Sequence, residues 1–123
     1  MARENLSCPA CGQLAAWMKE TSGGSYRQYD QLLQELMRLE GRGVIELFAG
    51  DCPLGDTDAV LAPERHYTVC HYLRCRRCGA IYFVGACIRG KPVWRQVENI
   101  QKENLDIRLW GRCGTCYLQK KVE

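Results

Sequence analysis

Three Cys-x-x-Cys pairs fall within 123 residues: Cys8-Pro-Ala-Cys11, Cys75-Arg-Arg-Cys78 and Cys113-Gly-Thr-Cys116. Two thiolates separated by two residues grip one metal ion from a single tight turn, and two such turns complete a tetrahedral four-sulfur shell, the arrangement zinc prefers. A chain built this way is predicted to fold around a Zn2+ ion held between turns remote in sequence.

A length of 123 residues suits one domain with a modest core, and a hydrophobic fraction of 46% argues against wholesale disorder. The net charge of +3 is too small to force a nucleic-acid or membrane role. No segment has the roughly 20 consecutive apolar residues of a membrane-spanning helix. The stretch from Met1 to Pro9 has no apolar run resembling a signal sequence. Nine cysteines without such a signal point to the reducing cytoplasm, where thiols bind metal or lie buried. The odd count also argues against a disulfide framework.

Thr21 to Ser25 reads as a flexible joint that ends in a helix start. Ser25 and Gln28 form a capping-box pattern, in which each side chain satisfies a free backbone amide. From Tyr26 to Glu40, the residues Tyr29, Leu32, Leu33, Leu36 and Leu39 recur every three or four positions, which predicts an amphipathic helix stopped by Gly41-Arg42-Gly43. Val44 to Ala49 reads as a strand, and Asp51 to Asp58 as a solvated loop. His66–Arg74 and Ala80–Ile88, rich in β-branched and aromatic residues, predict a hairpin turning at the second Cys-x-x-Cys. Further strands are expected at Val93–Val97 and Leu105–Trp110. The expected fold is α+β, a single domain with one main helix on a short antiparallel sheet of four or five strands.

Six paired cysteines exceed one tetrahedral site by two. Glycine follows the first two turns, as Gly12 and Gly79, where the chain leaves a metal knuckle and positive φ is often required; Tyr117 follows the third. This selects Cys8, Cys11, Cys75 and Cys78 as ligands, with knuckles at 8–12 and 75–79. The doubled Cys-x-x-Cys-Gly resembles zinc-ribbon turns. The third pair has three readings. It joins Cys75 and Cys78, or it forms a second site with Cys52, Cys70, Cys87, His66 or His71, or it is redox-active at a helix start. His66 and His71 fall on opposite faces of a strand, and His71, on the face of Cys75, is the better ligand candidate. Cys70 and Cys87 read as buried thiols brought together by the hairpin.

His71-Tyr-Leu-Arg-Cys75-Arg-Arg-Cys78-Gly79-Ala-Ile and Leu105-Asp-Ile-Arg-Leu-Trp-Gly-Arg-Cys113-Gly-Thr-Cys116 resemble the carboxy-terminal half of the ferric uptake regulator family. That likeness implies a structural zinc on Cys75, Cys78, Cys113 and Cys116. It also implies that the helix 26–40 and the strand 44–49 correspond to the end of a winged helix.

Catalytic patterns are lacking: no His-Glu-x-x-His, phosphate loop or zinc-deaminase signature occurs, and Glu20, Glu35, Glu46 and Glu64 are scattered. Arg74, Arg76, Arg77, Arg89, Lys91 and Arg95, interleaved with Tyr72, Tyr82, Phe83 and Trp94, can be read as phosphate-gripping and base-stacking groups. They can equally be read as cations that offset a thiolate-rich site. Two functions follow: a non-enzymatic accessory or neutralising factor that binds another protein, or a nucleic-acid-binding or metal-responsive regulatory module.

Overall fold

A computed structural model describes residues 8–21 and 23–122, with side chains to residue 118. The stretch 1–7, read above for a signal sequence, lies outside the described residues, as does Ser22 of the expected joint. Two helices come first, α1 (Gly12–Glu20) and α2 (Tyr26–Gly41), then β1 (Ile45–Gly50) and a short α3 (Thr57–Leu61). Strands β2 (Thr68–Cys75), β3 (Ile81–Cys87) and β4 (Val93–Val97) follow, then α4 (Leu105–Arg108) and α5 (Thr115–Val122). The strands form one antiparallel sheet in the order β1-β2-β3-β4, so the fold is α+β.

Helix α2 forms where its periodicity places it. Ser25 and Gln28 make both halves of the capping box, and Tyr29, Leu32, Leu33, Leu36 and Leu39 are its buried residues. They pack with Leu14, Ala15 and Met18 of α1 onto Ile45, Leu73, Tyr82, Val84 and Trp94 of the sheet. The β2–β3 hairpin turns at the second Cys-x-x-Cys, with Arg74 opposite Ile81 and Thr68 opposite Cys87. The segment expected to be loose is pinned instead, since Gly23 pairs with Val93 and the Trp94 indole N–H donates to Thr21 Oγ1 at 3.2 Å.

Three elements depart from expectation. Helix α1 has only two turns and one short apolar run, Leu14-Ala15…Met18, too brief for periodicity to announce it. Leu105–Trp110 is no strand. Leu105 and Leu109 lie one helical turn apart, the Leu109 amide donates to the Leu105 carbonyl at 3.0 Å, and Ile107 between them is 84% exposed. A strand would have turned all three to one face. Within 51–58, the expected loop tightens at Leu54–Asp56 and leads into α3.

The second face of the sheet carries Tyr72, Phe83 and Val97, covered by Leu109 and Tyr117 of the carboxy-terminal segment. A β-bulge between Leu47 and Ala49 shifts the register of β1, so that Ile45 packs with the helices and Ala49 with this second cluster. No described helix is long and apolar enough to cross a membrane.

Candidate metal centre

The first turn runs directly into α1, the Gly12 amide donating to the Cys8 carbonyl at 2.8 Å, with Cys11 as N-cap. Gly12 is therefore the first helical residue and does not take the positive φ expected of it. Gly79 does, at φ 81°, and its amide closes the second turn on the Cys75 carbonyl at 3.0 Å. Cys75 is fixed beside Ile45 by strand pairing, and the Arg76 amide donates to the Val44 carbonyl at 2.9 Å.

These two turns meet. The four sulfurs of Cys8, Cys11, Cys75 and Cys78 lie within 4.8 Å of one another and can hold a metal ion. The Cys11 and Cys78 sulfurs are 3.4 Å apart. A zinc–sulfur distance of about 2.3 Å implies tetrahedral edges of about 3.8 Å, so the cluster is already near coordination size. Cys11 and Cys75 are buried, while Cys78 reaches the surface.

Tyr82 is a member of this site that sequence reasoning assigned elsewhere. Its hydroxyl, fully buried beneath the turns, donates to Cys11 Sγ at 3.0 Å. The signal was its phase on β3, which it shares with the core residues Val84 and Ala86. Burial pushes the Cys8 thiol up, but the amides of Cys11 and Ala10, with the Cys78 and Cys11 thiols, bring it down to about 7. Burial raises the Cys11 thiol, as do the Cys78 and Cys75 thiols, against the Tyr82 hydroxyl. Cys78 is also raised, by burial first. Amides aimed at sulfur are the local chemistry that favours thiolate.

The other candidate ligands lie elsewhere. Cys113 exchanges backbone hydrogen bonds with Gly50, at the far end of β1 from Cys75, about 17 Å along the strand. Cys113 and Cys116 therefore do not share a site with Cys75 and Cys78. Cys116 is the second residue of α5, so this pair does stand at a helix start. Burial nevertheless raises the Cys113 thiol, so this start does not activate it. His71 does not face the cluster. Its Nε2 lies 2.9 Å from the Cys52 carbonyl, which makes Nε2 the protonated nitrogen, and Nδ1 is buried without a partner. Burial lowers His71 to about 4 and raises Cys52 to about 11, so this neutral pair is no thiolate–imidazolium dyad. His66 stacks on Trp110 with centroids 3.7 Å apart. Cys70 lies opposite Gly85 and Cys87 opposite Thr68, half-buried neighbours on the hairpin, and all nine cysteines are free thiols.

The arginine–aromatic cluster separates in space. Tyr72, Tyr82 and Trp94 are fully buried and Phe83 is 9% exposed, so their faces are not available to stack bases. Arg74 Nε donates to Glu46 Oε2 at 2.6 Å, and Arg95 pairs with Glu103. Arg76 and Arg77 stay exposed at one end of the hairpin, while Arg89 and Lys91 stand about 20 Å away at the other.

An open groove of about 1090 Å³ begins at the first metal turn and runs between α1 and α2. Its lining includes Leu14, Trp17, Leu32, Leu39 and Val44 together with Gln13, Gln31, Glu35, Arg38 and Arg42. Comparison of the chain with protein-family models, with curated proteins and with solved structures gave no match.

Proposed function

We propose that this chain is a small, non-enzymatic, zinc-stabilised protein of the reducing cytoplasm that acts by binding another protein. The observation that carries this reading is the convergence of Cys8, Cys11, Cys75 and Cys78 into one four-sulfur cluster. An all-thiol donor set selects zinc over magnesium, calcium or manganese, which prefer oxygen ligands. Bound there, zinc would hold the sulfurs as thiolates and leave no open position for water or substrate, which suits structure over catalysis. Arg76 and Arg77, inside the second turn, would offset the negative charge of such a centre.

Native mass spectrometry of the reduced protein tests this. One zinc per chain is expected, lost in Cys75→Ser and retained in Cys113→Ser. A metal-free protein that folds cooperatively and ignores chelators overturns it. Retention on heparin or generic DNA that falls steeply with salt would instead favour the nucleic-acid reading.

A further inference from the structure

We infer, on the metal-centre reading above, that the four-thiol cluster is also a site of reversible oxidation: a peroxide enters at Cys78, a Cys11–Cys78 disulfide replaces the ion, and the two turns stay tied.

The turns expose their sulfurs unequally. Cys75 closes β2 and is buried by strand pairing beside Ile45. Three residues on, Cys78 stands in the crest of the hairpin turn, where Arg76, Arg77 and Gly79 are exposed as well. It is the one exposed cysteine of the nine. Cys11, the N-cap of α1, is 1% exposed, and the buried Tyr82 hydroxyl closes its inner side at 3.0 Å. Susceptibility to oxidation follows thiolate character and access. Metal binding holds the sulfurs as thiolates, and access singles out Cys78.

Proximity selects the second sulfur. Cys11 Sγ lies 3.4 Å from Cys78 Sγ, across the two turns. A disulfide brings its sulfurs to about 2 Å, so a shift of about 1.4 Å, spread over two side chains and an exposed turn, closes the bond. In the first step the Cys78 sulfur attacks one peroxide oxygen. The S–O bond forms, the O–O bond breaks, and hydroxide leaves as water with a solvent proton. Cys78 is then a sulfenic acid, oxidised by two electrons, and the peroxide is reduced. In the second step the Cys11 thiolate attacks the Cys78 sulfur, the S–S bond forms, and the S–O bond breaks with loss of a second water. Two thiolates, one hydrogen peroxide and two protons thus give one disulfide and two waters. A shell stripped of two of its four thiolates no longer holds its ion. Cys11 and Cys78 are 67 residues apart, so their bond closes a long loop and ties α1 to the hairpin in the ion's place. An in-turn bond, Cys8–Cys11 or Cys75–Cys78, would leave the turns separate.

The test treats the reduced, zinc-loaded full chain with equimolar hydrogen peroxide, follows zinc release with a chromogenic indicator, and maps disulfides by mass spectrometry after alkylation. Expected are one zinc released per disulfide and a linkage between the peptides carrying Cys11 and Cys78. Seven thiols per denatured chain should remain alkylatable, two fewer than the nine of the reduced chain. Dithiothreitol with added zinc should restore the thiols and the bound ion. The oxidised, zinc-free chain should unfold at higher urea than the same chain reduced under a chelator. Cys113→Ser, which leaves the cluster intact, should release zinc at the wild-type rate. A first disulfide between any other pair, zinc retained while thiols are lost, slower release in Cys113→Ser, or an oxidised chain no more stable than the stripped reduced one overturns the switch while the metal centre stands. A chain that takes up no zinc before oxidation overturns both.

Discussion

On its helix side the sheet is covered by α1 and α2 through a large apolar cluster whose margin is tied by four thiols. On the other side the carboxy-terminal segment lies over a smaller cluster and is held largely by polar contacts. Asp51, 5% exposed, accepts from the Cys70 amide at 2.9 Å and the Gly111 amide at 3.0 Å. Tyr72 donates to Glu103 at 2.7 Å, and the Trp110 indole donates to the Thr68 carbonyl at 2.7 Å. Gly111 passes so close to Asp51 that an added Cβ would lie 2.1 Å from its carbonyl oxygen. Non-directional burial tolerates adjustment; a clip of buried hydrogen bonds works only in one arrangement.

The largest expected effect separates the two faces at the cluster. Structural zinc binding is worth about 10–16 kcal/mol in small peptides, as much as the whole stability of a typical domain, about 5–15 kcal/mol. Chelation, or Cys75→Ser, should abolish cooperative unfolding by circular dichroism; survival of the transition would mean the apolar cluster suffices alone. Next, Leu36→Ala empties a fully buried position on the helix face and should cost about 2–5 kcal/mol in urea unfolding.

His71 supplies a pH test. Its folded pKa of about 4 lies below its ordinary 6.5, so the unfolded chain takes up the proton first. Stability should fall as pH drops from about 6.5 to about 4, by about 3 kcal/mol from this group, and level off below. His71→Gln should flatten that slope within the same window, whatever acid does to the thiolates.

On the opposite face, Asp51→Ala should cost about 1–3 kcal/mol and speed hydrogen exchange at Gly111 before it does so at Leu36. Exchange rising equally at both sites would show that the two faces open as one unit. Last, Arg38→Ala removes an exposed pair within α2 and should leave the unfolding midpoint unchanged.

Much of the helix face was legible in the sequence because its information is local. The capping box and the Leu32, Leu33, Leu36 spacing define α2 without reference to the rest of the chain. The glycines after Cys11 and Cys78 singled out the two turns that meet, although only Gly79 needs its special conformation. The opposite face was not legible. Asp51 and Glu103 look like any surface carboxylates until the fold brings distant amides, a tyrosine and an arginine to them. Ile107 lent a strand-like look to a turn of helix. Charge proximity along the chain also misled, because a hairpin sends its two ends apart.

Cys11 and Cys78 are 67 residues apart in the chain. On a ribosome adding about 5–20 residues per second, the first half of the clamp emerges some 3–13 seconds before its counterpart is made. Through that interval two thiols of the nascent chain are open to oxidation and to stray metals, so its yield should depend on the redox poise of the compartment that makes it.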